Sequence, residues 1–287
     1  MNNLYNIVKD LFSTNKVDLI IGYKSIDSKR TKPIFVSSNE DVDHLVFNEY
    51  SLNNLSVYLT RKDIKKYNKI GILAKGCDIR AIVQLINENQ IEREKILIIS
   101  KKCNGVVKDF GLEYNEDNIA EKCKSCKVRT PKVFDLMIDS EEEKKLPEPT
   151  ISSRVNELDS MTPEERFEFW RNEFSKCIRC YACRQACPLC YCERCIVDKN
   201  IPDWIESSPT QRANFSWNLI RAFHLSGRCI GCGECERVCP VDIPLSLLNA
   251  KMGIVAFKEF NYATGMEIGE PTLVGNYSNE DNEDFIK

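Results

Sequence analysis

The chain has 287 residues, 43% hydrophobic and 29% charged, a balance that folds as a soluble protein with room for two ordinary domains. Its formal charge of −3 at pH 7 and pI near 5.7 argue against a polyanionic partner such as DNA or RNA. No apolar run approaches the ~20 residues of a membrane span. The opening, MNNLYNIVKDLFSTNKVD, has neither the apolar core nor the small-residue cleavage site of a signal peptide, so a cytoplasmic protein is expected.

The first half alternates strand and helix signals. VDLIIGY (17–23) and KIGILA (69–74) are short β-rich runs. DIRAIVQLINEN, from Asp78, places Ile79, Ile82, Leu85 and Ile86 on one helical face, and KILIIS, from Lys95, is a further buried strand. Strand, helix and strand of these lengths form a βαβ unit, which predicts an α/β domain with a partly parallel sheet over 1–138. Cys77 falls just before the helix, at the carboxyl end of a strand, where open sheets place ligands. Cys103 follows the next strand, and Cys123 and Cys126 lie in the polar loop beyond it. Four thiols on one rim of a sheet make a complete metal site; each alone reads as a small buried residue.

Residues 139–162 are charged, with Pro and Ser and little apolar periodicity, and read as a linker. TPEE then opens a helix, with Thr162 as N-cap, Pro163 at N1 and Glu165 completing a capping box. Phe167, Trp170 and Phe174 share a face of this helix, which delivers the chain to Cys177. QRANFSWNLIRAFHLSG predicts a second helix ending at Gly227, and IPLSLLNAKMGIVAFKEF a third. The second domain is therefore expected to be all-helical over 163–262, followed by a solvated tail over 263–287 that ends in NYSNEDNEDFIK.

All fifteen cysteines fall into three groups, and in a cytoplasmic chain such clustering points to metals rather than disulfides. Cys177, Cys180, Cys183 and Cys187 read C-x2-C-x2-C-x3-C-P, and Cys229, Cys232, Cys235 and Cys239 repeat it. This is the spacing of two-cluster ferredoxins, in which the fourth cysteine of each motif ligates the other cluster. One 4Fe–4S cluster is thus assigned to Cys177, Cys180, Cys183 and Cys239, the other to Cys187, Cys229, Cys232 and Cys235. Zinc sites would favour paired C-x2-C knuckles instead. Gly231 and Gly233 let backbone N–H groups approach sulfur, and Arg179, Arg184, Arg228 and Arg237 lie in the loops to offset cluster charge. Cys183, Cys187 and Cys190 also spell the C-x3-C-x2-C of radical-SAM enzymes, but the context is wrong: fewer than 100 residues follow, and they hold another ferredoxin motif.

Three thiols are surplus. Cys190, Cys192 and Cys195 offer three ligands in six residues, and His224 is the nearest candidate for a fourth, giving a possible extra metal site. Buried inert thiols, a redox-active pair, or Cys190 standing in for Cys187 are the alternatives.

GCDIRA, KKCNGV and CKSCKVRTPKVFD, in that order and followed by the two ferredoxin motifs, resemble the iron–sulfur beta subunits of coenzyme F420 hydrogenases and formate dehydrogenases over roughly residues 69–250. The resemblance implies that Cys77, Cys103, Cys123 and Cys126 hold a third 4Fe–4S cluster beside an FAD, although four thiolates suit zinc as well. Gly76 stands where the family pattern usually has proline, and no flavin-binding segment is recognisable. No P-loop, G-x-G-x-x-G or nucleophile motif is present, and no catalytic residue is assigned. The expectation is an electron-transfer subunit in an anaerobe, passing single electrons between a flavoprotein and a hydrogenase-, formate dehydrogenase- or heterodisulfide reductase-like subunit. The rivals are an FAD-containing oxidoreductase reducing coenzyme F420 or NAD(P), and a zinc-binding scaffold.

Overall fold

The structure, a computed structural model, describes residues 3–124, 126–138, 153–276 and 279. The chain divides into two units, 1–150 with 265–269 and 151–264 with 270–287.

In the first unit, α1 (Asn3–Ser13) precedes an antiparallel hairpin of β1 (Leu19–Asp27) and β2 (Arg30–Val36), with Ile20 opposite Val36. The two-residue β3 (Leu45–Val46) pairs antiparallel with β1, and a short helix, α2 (Lys62–Lys65), leads into β4 (Ile70–Ala74). Next come α3 (Gly76–Asn87), β5 (Ile96–Ser100), the four-residue α4 (Glu121–Lys124) and β6 (Leu136–Met137). β4 runs parallel to β1 and to β5, and β6 parallel to β5, giving a mixed sheet in the order β2-β1-β4-β5-β6. Every residue of β4 is buried, as in a strand covered on both faces. Ile20, Ile21, Tyr23, Ile72, Leu73 and Ile98 from the sheet and Ile82 from α3 are among the largest fully buried side chains.

The helix after β4 starts two residues ahead of the expected Asp78. Asp78 occupies N3, where its carboxylate accepts the Lys75 backbone N–H at 2.8 Å and satisfies a helix-end donor. Cys77 therefore lies inside the first turn of α3, not before it. Gly76 has a reason of its own. A Cβ there would meet the Val128 carbonyl oxygen at 1.8 Å, so glycine is required where the segment after Cys126 crosses the helix start.

In the second unit, residues 139–152 of the expected linker lie outside the described residues, but 153–160 are helical (α5, Ser153–Ser160). α5 buries Val155 and Leu158 against Leu247. α6 (Pro163–Ser175) begins with the expected capping box: Glu165 N donates to Thr162 Oγ1 at 3.2 Å, and Thr162 N to Glu165 Oε2 at 2.8 Å. Its Trp170 stacks on Phe174, which is buried, while Phe167 stays 52% exposed. α7 (Ala182–Ala186), α8 (Gln211–His224), α9 (Glu234–Arg237) and α10 (Leu245–Phe260) complete the unit. α8 stops three residues short of Gly227, with Leu225 as its C-cap. Among the described residues of this unit the only β pairing is an isolated bridge between Asn200 and Asp203.

Of the expected tail, 265–269 counts with the first unit: Asn87 Nδ2 donates to the Glu267 carbonyl at 2.9 Å, and Gly269 N to Asn87 Oδ1 at 2.9 Å. Residues 277, 278 and 280–287 lie outside the described residues. No helix among the described residues is long and apolar enough to cross a membrane.

Candidate metal centres

The two ferredoxin-spaced loops fold in the same way. Each passes through two residues with positive φ and then enters a short helix, α7 after Tyr181 and α9 after Gly233, and these two helices pack together. The fourth cysteine of each motif, Cys187 or Cys239, follows its helix and is carried away from its own triplet.

Two pockets result. One is lined by Cys177, Cys180 and Cys183 from the first loop and Cys239 from the second, walled by Tyr181, Trp217 and Ile243. The other is lined by Cys229, Cys232 and Cys235 from the second loop and Cys187 from the first, walled by Leu189, Arg221 and Asn249. Donors reach the sulfurs: Ile243 N to Cys239 Sγ at 3.4 Å, Gly231 N to Cys229 Sγ at 3.5 Å, and Asn249 Nδ2 to Cys235 Sγ at 3.9 Å.

Burial pushes the Cys183 thiol up, and that of Cys235 up to about 12. Buried thiols held neutral in this way are inert until a metal displaces the proton. Around Cys183 the other thiols felt are Cys177, Cys180 and Cys239; around Cys235 they are Cys229, Cys187 and Cys183. Thiols spread round a pocket, with N–H donors turned to them, fit a four-iron cluster.

α8 holds the first loop from behind. Asn214, Asn218 and Arg221, four and then three residues apart, form a buried polar stripe on this helix. Asn214 Nδ2 donates to the Cys177 carbonyl at 2.7 Å, and Arg221 Nη2 to the Cys183 carbonyl at 3.1 Å. Sequence reasoning missed Arg221 because a polar stripe on a helix ordinarily faces water. The signal was there: one cation three residues after an Asn pair spaced i, i+4, between two cysteine motifs.

The four loop arginines each have partners of their own. Arg184 pairs with Asp198 at 2.9 Å and Arg237 with Glu234 at 2.6 Å. Arg179 donates to the carbonyls of Ala213 and Glu206, and Arg228 lies over the Tyr191 ring.

In the first unit, Cys77, Cys103, Cys123 and Cys126 gather near the carboxyl ends of β4 and β5. Burial pushes all four thiols up, Cys77 well up, and each lies within the electrostatic reach of at least one other. Val106 N donates to Cys123 Sγ and Val128 N to Cys126 Sγ, both at 3.4 Å. Beneath them Lys75 and Asp78 form a buried ion pair at 2.9 Å, with Asp78 also accepting from Leu55 N at 3.1 Å and Lys75 donating to the Asn53 carbonyl at 2.9 Å.

The surplus thiols have separate surroundings. Cys190 shares a hydrogen bond with Cys187, which pushes Cys187 well up and holds Cys190 below the ordinary thiol value. Cys195 precedes a 3-10 turn and packs near Trp217, Cys192 is exposed, and His224 is exposed at the end of α8.

A family model described as a 4Fe-4S dicluster domain matches residues 173–243, which span both ferredoxin-spaced motifs. The beta subunit of an F420-dependent formate dehydrogenase from Methanocaldococcus jannaschii is 26% identical over 74% of this chain and 78% of its own length. That of F420-dependent formate dehydrogenase 1 from Methanococcus maripaludis is 24% identical over 94% of this chain and 92% of its own. A chain of the F420-reducing NiFe hydrogenase complex from Methanosarcina barkeri matches 36% of this chain and 38% of that one at 15% identity. Its TM-score of 0.30 is too low to bear on fold or function.

Proposed function

The chain belongs to the iron–sulfur beta subunit family, and from that premise we propose that it is an electron-transfer subunit carrying three 4Fe–4S clusters. It relays single electrons between a flavoprotein and a partner subunit of an anaerobic oxidoreductase. One observation carries this reading: each pocket of the second unit takes three cysteines from one motif and the fourth from the other. That is the ligand crossover of two-cluster ferredoxins. Cys177, Cys180, Cys183 and Cys239 hold the first cluster, and Cys187, Cys229, Cys232 and Cys235 the second, in an all-helical ferredoxin domain. Cys77, Cys103, Cys123 and Cys126 hold the third. Bound clusters supply the one-electron chemistry. The chain's own part is to position the thiolates, direct N–H groups at sulfur and keep water away.

A second reading, an FAD-containing oxidoreductase that itself reduces coenzyme F420 or NAD(P), draws on the names of the relatives, both F420-dependent. One experiment separates the two. The full chain is purified anaerobically and analysed for iron, acid-labile sulfide, zinc and flavin, then assayed. The relay reading expects three clusters' worth of iron and sulfide and no stoichiometric flavin. It also expects electron flow from dithionite to viologen dyes, and no turnover with formate, H2 or NAD(P)H until a partner is added. Stoichiometric FAD with F420 reduction by the lone chain overturns the relay; zinc without sulfide overturns the clusters.

A further inference from the structure

Arg221 is 4% exposed and lines the second pocket, while its Nη2 grips the Cys183 carbonyl in the loop that lines the first. Among the described residues it has no carboxylate partner, and its Nε–H has no acceptor. A guanidinium cannot escape burial by losing its proton, so an unpaired one inside a protein carries a steep desolvation penalty. An anionic neighbour offsets that penalty. What surrounds Arg221 is sulfur: first Cys190, which it hydrogen-bonds and which belongs to neither quartet, then Cys187 and Cys235 of one quartet and Cys183 of the other. Of the other arginines near these loops, Arg184 and Arg237 have their own carboxylates, while Arg179, which also has an unused Nε–H, gives its other donors to two carbonyls and covers the Tyr181 and Trp217 rings.

We propose that Arg221 is a shared positioning residue for the two clusters of the second unit, a fixed internal cation that raises both reduction potentials. The inference rests on the reading that the two pockets hold 4Fe–4S clusters. Reduction adds one electron and one negative charge to a cluster, with no bond made or broken and no proton required. A positive charge beside it therefore stabilises the reduced state, and so does a hydrogen bond to its sulfurs, for which the unused Nε–H is a donor. Because Arg221 lines the second pocket and reaches the first only through the Cys183 carbonyl, the second cluster feels the larger effect.

The test is a dithionite redox titration of the anaerobic full-length protein followed by EPR, with iron and sulfide counted first. Wild type lacking two clusters in the second unit would sink the cluster reading and this inference together, and that failure shows before any variant is made. In Arg221→Gln that keeps its iron, both midpoint potentials should fall, the second cluster's further, while the cluster of the first unit stays put as an internal control. Arg221→Lys, which keeps the charge, should recover most of the shift. Unchanged potentials in a fully loaded Arg221→Gln overturn the proposal. If that variant does not load, Arg221→His is titrated from about pH 5.5 to about 8.5, across which an imidazole loses its charge. Potentials that fall more steeply with pH than those of wild type support the tuning role, and a wild-type pH dependence overturns it. Loss of iron from both variants makes Arg221 a structural strut and overturns it too.

Discussion

The loops 177–187 and 229–239 trace one backbone path with different amino acids. Where the second loop has Gly231 and Gly233, at φ +70° and +66°, the first has Arg179 and Tyr181, at +60° and +57°. The left-handed region costs an L-residue about 1–2 kcal/mol relative to the right-handed one. The first loop holds it twice, and its side chains supply the compensation. Arg179 donates to two carbonyls, at 3.1 Å to Ala213 and 2.6 Å to Glu206, and its guanidinium covers the Tyr181 and Trp217 rings. Tyr181 meets Trp217 edge-on at 5.2 Å and lies under Arg184. A Cβ at Gly231 would meet nothing within 4 Å. One cradle is thus set by glycine's freedom and the other by anchoring to α8.

The largest effects would come from cutting the exchange between the loops. Cys187→Ser should remove the cluster bounded by Cys229, Cys232 and Cys235, and Cys239→Ser the one bounded by Cys177, Cys180 and Cys183. Each should cost about one cluster of iron, with the other EPR signals retained. If each mutation instead silenced its own local triplet, the crossed assignment would be abandoned.

Tyr181 gives a smaller but sharper contrast. Tyr181→Ala keeps the left-handed strain and loses the ring contacts, so a loss of about 1–2 kcal/mol is expected in denaturant unfolding. Tyr181→Gly loses the same ring but relieves the strain, and should be the more stable of the two by about 1 kcal/mol. The reverse order would mean that the first loop is not strained as described. The smallest effect belongs to Gly231→Ala: with open space around it, the change should cost only the backbone term, about 1 kcal/mol.

What could be read ahead of the structure follows from how local each signal is. The buried runs of β4 and β5, the capping box at Thr162 and the cysteine spacing are all short-range patterns, and each appears where it was expected. β2 was not foreseen: Arg30–Val36 carries Arg, Lys and Pro33, residues that fit an edge strand and blur its apolar alternation. α5 was lost in a charged stretch, since its buried contacts, Val155 and Leu158, depend on Leu247 far along the chain. Arg221 was overlooked for the same reason. Taken alone, α8 does not say that its polar stripe faces cysteines rather than water; only its place between the two cysteine motifs hints at it.

The exchange of cysteines also governs the order in which the protein can be made. Cys187 leaves the ribosome long before Cys229, Cys232 and Cys235, and the first three cysteines of the other quartet wait for Cys239. The second pocket has its four thiols only when residue 235 has emerged and the first only at residue 239, so a nascent chain that displays only the first motif offers three thiols and an unclosed site. Under the crossed assignment, metal loading is a late event for both clusters. The two sites mature as an interlocked pair, and a ribosome stalled between the motifs releases a product with neither.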